Sequence, residues 1–382
     1  MSATVTDPAQ PVPAQPVPVT FLVHPRTDVA AEVGRFAPPL RRVPVPVFEW
    51  AFRHLPLPPF TLATTALAER PDSPTGRVVG VPLTPRQLLG DQRLAHRRIT
   101  AAVDRAAAAG AGVIGLGALT ATATGGGELF RARTDVGVTN GNAFTAAITA
   151  ESVLRALPSA PRPGIALVGA TGSVGSAVAR LLARAGVPEL LLVGRTATTL
   201  AALAAELEDL GPAAVRTSRD MPDVRGAGLV VLLTSATDAL LRSEHLAEGA
   251  VVIDDTQPRN TAPDLPRRRP DVLVLDGGIV TTPGIVRRGG DIGLPRDQSF
   301  ACLAETLLLG LAGQRGHGTL GRPTLAEVDH LVGLSTRFRH LGFSLAAPTS
   351  FGAPVARQVW RADEPAFSRL AAGVASVLEP AG

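Results

Sequence analysis

The single cysteine of the chain, Cys302, stands near the start of an apolar run, RDQSFACLAETLLLGLAG (residues 296–313). A free cysteine can pack as a small hydrophobe. As a thiolate it can instead attack an activated acyl group, which a hydride then reduces. The polar stretch PRDQS places Cys302 within about the first two turns of the following helix, where the backbone lowers a thiol pKa. Glu305, three residues on, shares that helix face and could relay protons or form an ion pair. Asn142 and Thr145, in TNGNAFTAA, could orient a reacting carbonyl or a cofactor ribose, although helix capping explains them equally. Asp254 and Asn260, in VIDDTQPRN, could shape a cofactor mouth or simply build a turn.

A second group of residues points to a phosphate. VGATGSVGSAVARLLA carries Gly169, Gly172 and Gly175 between an apolar strand and a helix rich in small residues. Such glycines permit a tight turn and close approach of the backbone to a pyrophosphate, whose charge rests on the helix N-terminus. Thr171, Ser173 and Val174 complete this loop, and Thr234, after LVVLLTSA's apolar run, is expected beside it. NAD enzymes place a carboxylate at the end of the next strand, on the ribose hydroxyl. This chain has Arg195 and Thr196 there, and a guanidinium fork suits a 2′-phosphate, so the expected cofactor is NADPH.

Composition removes several other chemistries. All 37 basic residues are arginine, and tyrosine is absent. There is therefore no Schiff-base lysine, Walker lysine or Tyr–Lys pair. The seven histidines show no metal spacing, and one cysteine builds neither a zinc set nor an internal disulfide. A net charge of +4, no long basic run and 4% aromatic residues argue against a nucleic-acid binder. No stretch reads as a secretory signal or a membrane span, so a cytoplasmic protein without stable membrane insertion is expected.

These groups need a scaffold, and 382 residues suggest two or three domains. Residues 1–18 read as a disordered Pro-rich tail. Residues 19–157 read as an N-terminal α/β substrate domain, with strands at VTFLVHP and AGVIGLGAL. From 158 to 292, strands GIALVGAT, ELLLVGR, LVVLLTSA, AVVIDDT and VLVLDGGIV alternate with helices, the pattern of a Rossmann-like doubly wound NADP-binding domain. Residues 293–382 read as a C-terminal helical segment that carries Cys302 back across the cleft. The fold class is α/β.

The cysteine segment resembles that of the long-chain acyl-[acyl-carrier-protein] reductases, the fatty-aldehyde-forming enzymes of cyanobacterial type, through P-x-x-Q-x-F-A-C-x-A-E. GLGALT, TNGNAFTAA, LVGATGSVGSAV, VIDDTQPRN, VLDGGIV and GRPTLAEVDHLVGLSTRFRHLGF resemble further segments of that family, covering most of residues 90–344. The resemblance implies NADPH-dependent reduction of an acyl thioester to an aldehyde through an acyl-enzyme on Cys302. It also implies acyl-carrier protein or acyl-CoA as substrate and an aldehyde-consuming partner; AHRR (95–98) and PRRRP (266–270) could then meet an acidic carrier, although solvated loop charge explains PRRRP better. Two departures stand out: Phe144 occupies a loop where that family has a histidine, and TTPGIVRRGGDIG is less polar and aromatic than its counterpart. Competing readings are a shikimate-dehydrogenase-like or glutamyl-tRNA-reductase-like oxidoreductase and a non-catalytic NADP sensor. The shikimate type would be expected to need a lysine that this chain lacks.

Overall fold

The computed structural model describes residues 15–25, 29–36, 38–236, 240–257, 259–356, 359–360, 366–368 and 370. Most of the expected N-terminal tail, and residues 371–382, lie outside this set. Val17, assigned to that tail from its prolines, is buried, and its N–H donates to the Gly310 carbonyl at 2.9 Å.

Two six-stranded sheets dominate the described residues, beside two smaller ones. The first contains β1 (Val19–Val23), β2 (Phe60–Leu67), β3 (Pro74–Gly80), β4 (Val113–Leu116) and β5 (Gly137–Thr139). The second contains β6 (Gly164–Val168), β7 (Glu189–Val193), β8 (Ala214–Ser218), β9 (Leu229–Leu232), β10 (Val251–Asp254) and β11 (Leu273–Asp276), in the order β11-β10-β9-β6-β7-β8, all parallel. β6, β9 and β10 are buried at every residue, as strands covered on both faces must be. The order reverses between β6 and β9, and α/β sheets bind ligands in the crevice at such a point.

After β11 the chain leaves the nucleotide sheet. β12 (Ile279–Thr281) enters a small antiparallel sheet, and β13 (Ile285–Gly289) pairs with β2, giving the first sheet the order β13-β2-β3-β1-β4-β5. β14 (Gln298–Phe300) pairs with β12 and runs straight into the cysteine helix. β2, β3, β5, β8 and β13 were not visible in the sequence pattern. β8 is a largely exposed edge strand, AVRTS, and β5 has only three residues, so neither shows a readable apolar period.

The helices are α1 (Val29–Phe36), α2 (Val45–His54), α3 (Pro85–Gly90), α4 (Gln92–Ala108), α5 (Leu119–Ala123), α6 (Asn142–Ala156), α7 (Ser173–Arg184), α8 (Ala197–Glu208), α9 (Leu265–Arg268), α10 (Ala301–Leu311) and α11 (Leu325–Arg337). α6 is the spine: it packs on α7, α10 and α11, and nearly all its side chains are buried. It even encloses an ion pair, Arg155 donating to Glu151 at 2.7 Å. The arginine clusters have intramolecular partners. Arg98 donates to the Phe52 carbonyl at 2.7 Å, and Arg269 binds Asp271 and the Ala247 carbonyl.

Asp276, at the end of β11, fastens the C-terminal strands. It accepts from Arg259 at 2.6 Å, Thr349 at 2.8 Å, and the N–H groups of Phe351 and Gly352 at 2.9 and 2.8 Å. Burial works to raise its pKa, but Arg259, Gly352 and Thr349 hold it below the usual range. Asp276→Ala should cost about 2–3 kcal/mol, the range for charge-assisted bonds lost from a part-buried site. Urea unfolding should show this, with faster proteolysis between residues 349 and 354.

Candidate active site

The loop after β6 fits a dinucleotide. Gly169 has φ +88°, and a Cβ there would lie 2.9 Å from the Leu233 carbonyl carbon. A Cβ on Gly175 would come within 2.3 Å of the Gly169 carbonyl oxygen. Gly172 is the N-cap of α7 and supplies no side chain to its first turn, so those N–H groups can face an anion. Thr234 follows β9 beside Gly169, and its hydroxyl accepts from the Ala236 N–H at 3.1 Å. Val174 is partly buried against the core, and Thr171 offers its carbonyl to Arg322 at 3.0 Å.

Arg195 is exposed beyond the end of β7, and Thr196 is the N-cap of α8. A second guanidinium, absent from the sequence reading, stands beside them: Arg219, after β8, donates to the Arg195 carbonyl at 3.1 Å. Only knowledge that β8 exists could have placed it there.

The second half of the site forms where α6 and α10 begin. Gly141, the N-cap of α6 at φ +75°, approaches so closely that a Cβ would lie 2.3 Å from the Cys302 Cβ. Asn142 donates to the Ser173 hydroxyl at 2.7 Å, and Ser173 donates to the Gly321 carbonyl at 2.7 Å. Asn142 thus ties α6 to the phosphate loop. Thr145 donates to the Gly141 carbonyl at 2.8 Å. Glu305 is fully buried; Phe144 N–H donates to it at 2.8 Å and Thr139 hydrogen-bonds its other oxygen. Burial pushes its pKa up against those contacts.

Cys302 is the second residue of α10 and keeps some solvent access. The expected low pKa is overturned. Desolvation, with the nearby Asp255 and Glu305 carboxyls, pushes the thiol up to about 12. The Leu303 N–H pulls the other way and is outweighed.

Asp255 is the group that sequence reasoning passed over. In a strand, neighbouring side chains point to opposite faces, so the doublet Asp254–Asp255 divides at the end of β10. Asp254 is buried and accepts from the N–H groups of Thr256, Asn260 and Thr261, which makes it a turn-former. Asp255 faces the region of Cys302 and Thr149, partly open to solvent. Burial pushes it up to about 7, with Asp254 adding to the effect and Thr149 opposing it. The Thr149 hydroxyl donates to Asp255 and also lies 2.8 Å from the Thr145 carbonyl.

Comparison with known proteins changes the family reading. The shikimate / quinate 5-dehydrogenase family profile matches residues 151–274, which run from within α6 to β11. A curated relative, aminotransferase PigE of Serratia sp. (strain ATCC 39006), is 28% identical over 306 residues, covering 78% of this chain. This chain spans only 35% of that relative. Among solved structures, quinate dehydrogenase from Corynebacterium glutamicum with NAD matches at 16% identity and TM-score 0.36, over 67% of this chain and 87% of its own. Iminosuccinate reductase of Paracoccus denitrificans with NAD+ matches at 23% identity and TM-score 0.25, over 31% and 39%.

The resemblance to acyl-[acyl-carrier-protein] reductases is corrected by the profile match, which points to a shikimate/quinate-dehydrogenase-like nucleotide domain. The acyl-thioester reaction, the fatty-aldehyde product and the acyl-carrier or acyl-CoA partners fall with it. The Rossmann-like NAD(P)-binding fold stands. Among the described residues no helix is long and apolar enough to cross a membrane, and no metal-binding cluster occurs.

The thiol can be tested directly, because the chain has one. Alkylation of native protein by iodoacetamide should be about 100-fold slower than that of an unperturbed thiol at pH 8. Its rate should still be climbing at pH 10. A plateau below pH 8 would refute the raised pKa.

Proposed function

We propose that the chain is an NADP(H)-dependent oxidoreductase, shikimate/quinate-dehydrogenase-like, that interconverts a hydroxyl and a carbonyl on a small polar molecule. Asp255 carries the reading: a carboxyl pushed up to about 7, at the carboxyl end of β10, in the sheet whose loop fits a dinucleotide. A general acid–base group works best with a pKa near the operating pH. The absent lysine then has a replacement.

When bound, the dinucleotide supplies or accepts the hydride. In the reducing direction Asp255 gives its proton to the substrate oxygen and recovers one from solvent; in the oxidising direction it takes the hydroxyl proton. Thr149 donates to one carboxyl oxygen and so orients the group. Cys302, protonated at neutral pH, stands near Asp255 as a weak donor. Asn142 fixes the start of α6 to the phosphate loop, while Arg195 and Arg219 offer positive charge for a 2′-phosphate. The match to a relative named as an aminotransferase supports a carbonyl product that a separate transaminating activity consumes.

The reading is tested by following NADPH oxidation and NADP+ reduction with a panel of hydroxy acids and their keto forms, quinate and shikimate included. NADP(H)-linked turnover of at least one pair is expected; binding of NADPH without turnover of any pair would defeat the assignment. Arg195→Ala should weaken NADPH roughly 10- to 100-fold, as loss of one charge-assisted contact implies, and leave NADH nearly unchanged.

Asp255→Asn should lower kcat about 100-fold or more without changing the NADPH Kd, and should remove the ionisation near pH 7 from the rate profile. The same change affects stability. Because the folded pKa, about 7, exceeds the ordinary 3.8, the folded state holds the extra proton between these values. That contribution is complete below about pH 4 and is lost as pH rises through 7. The variant's denaturation midpoint should therefore fall less over this window than the parent's.

A further inference from the structure

The segment joining α10 to α11 crosses over the phosphate loop. Gly321 is held on both sides: its N–H donates to the Gly126 carbonyl at 2.8 Å, and its carbonyl accepts from Asn140 at 2.9 Å and Ser173 at 2.7 Å. Pro323 follows, and Thr324 then caps α11 through a reciprocal box with Glu327. Arg322 therefore extends from a backbone fixed at both ends. Its guanidinium donates one N–H to the Thr171 carbonyl at 3.0 Å, beside the N-terminus of α7. The side chain is exposed, and among the described residues no carboxylate lies within 4.0 Å of it. A cation is thus brought against the positive end of a helix with no anion to offset either, an arrangement that an added phosphate stabilises.

We propose that Arg322 is a pyrophosphate-binding residue, supplied to the nucleotide domain by the C-terminal segment. This inference rests on the dinucleotide reading above. One N–H remains on Thr171 as a tether while the other guanidinium donors meet the pyrophosphate oxygens. Arg322 and Arg195 then divide the cofactor between them. Arg195 serves the 2′-phosphate that only NADPH carries, and Arg322 serves the pyrophosphate common to both cofactors.

Calorimetric titration of the full chain with NADPH and with NADH, without substrate, tests this division. Arg322→Gln keeps the length and a donor for Thr171 but loses the charge. It should weaken both cofactors by the same factor, about 10-fold, corresponding to one charge-assisted contact. Arg322→Lys, which keeps a point charge, should lose less. Adenosine 2′-monophosphate, which lacks the pyrophosphate, should bind the Arg322→Gln variant and the parent alike. Unchanged NADPH and NADH affinities in Arg322→Gln, even with a lower melting temperature, would make Arg322 a structural tether and overturn the proposal. A loss confined to NADPH would overturn it too, by moving Arg322 to the 2′-phosphate. If the parent chain bound neither cofactor, the underlying dinucleotide reading would fail instead.

Discussion

One buried carboxyl group governs the geometry of the cleft. Glu305 lies inside the protein on α10, and it accepts from Thr139 at the end of β5 and from the Phe144 N–H in the first turn of α6. It therefore fixes three elements to one another within a few ångströms. A buried carboxyl is costly unless hydrogen-bonded, so these contacts cannot slip independently. Through them the start of α6 is seated against Cys302, and Asn142 is set opposite Ser173 in the phosphate loop. The chemical end of the site and the cofactor end are positioned by the same small polar junction.

The sequence made the nucleotide half legible because its signals are local. Gly169, Gly172 and Gly175 sit in one short turn, between a strand and a helix whose apolar patterns are unambiguous. Arg195 follows from counting to the end of the next strand. Arg219 and Arg322 were not legible, since each reaches the site from an element that only the tertiary fold brings near. Asp255 was hidden for another reason. The choice between two adjacent aspartates depends on which face of β10 meets the cleft, and the turn residues after it favour the wrong one.

Cys302 shows how a local rule is overridden by surroundings. Position near a helix N-terminus argues for a thiolate, and that contribution is present as the Leu303 N–H. Two carboxyls and the loss of water work against it and prevail. The family resemblance built around this segment had the same weakness. It rested on short matching strings, whereas the profile match spans a continuous stretch from α6 to β11.

The return of β13 to the first sheet has a mechanical consequence. The polypeptide passes between the two halves at the end of α6, again between β11 and β13, and once more where the Gly321 segment lies over the phosphate loop. With three crossings, the halves are braced as two plates joined by several struts. Wide opening about a single hinge would draw Gly321 away from Ser173. Motion that preserves these contacts is a small sliding of α6 against its neighbours, so the cleft's width is set largely before any ligand enters. A chain that stopped at β11 would lack β13 and leave β2 as an uncovered edge of the first sheet.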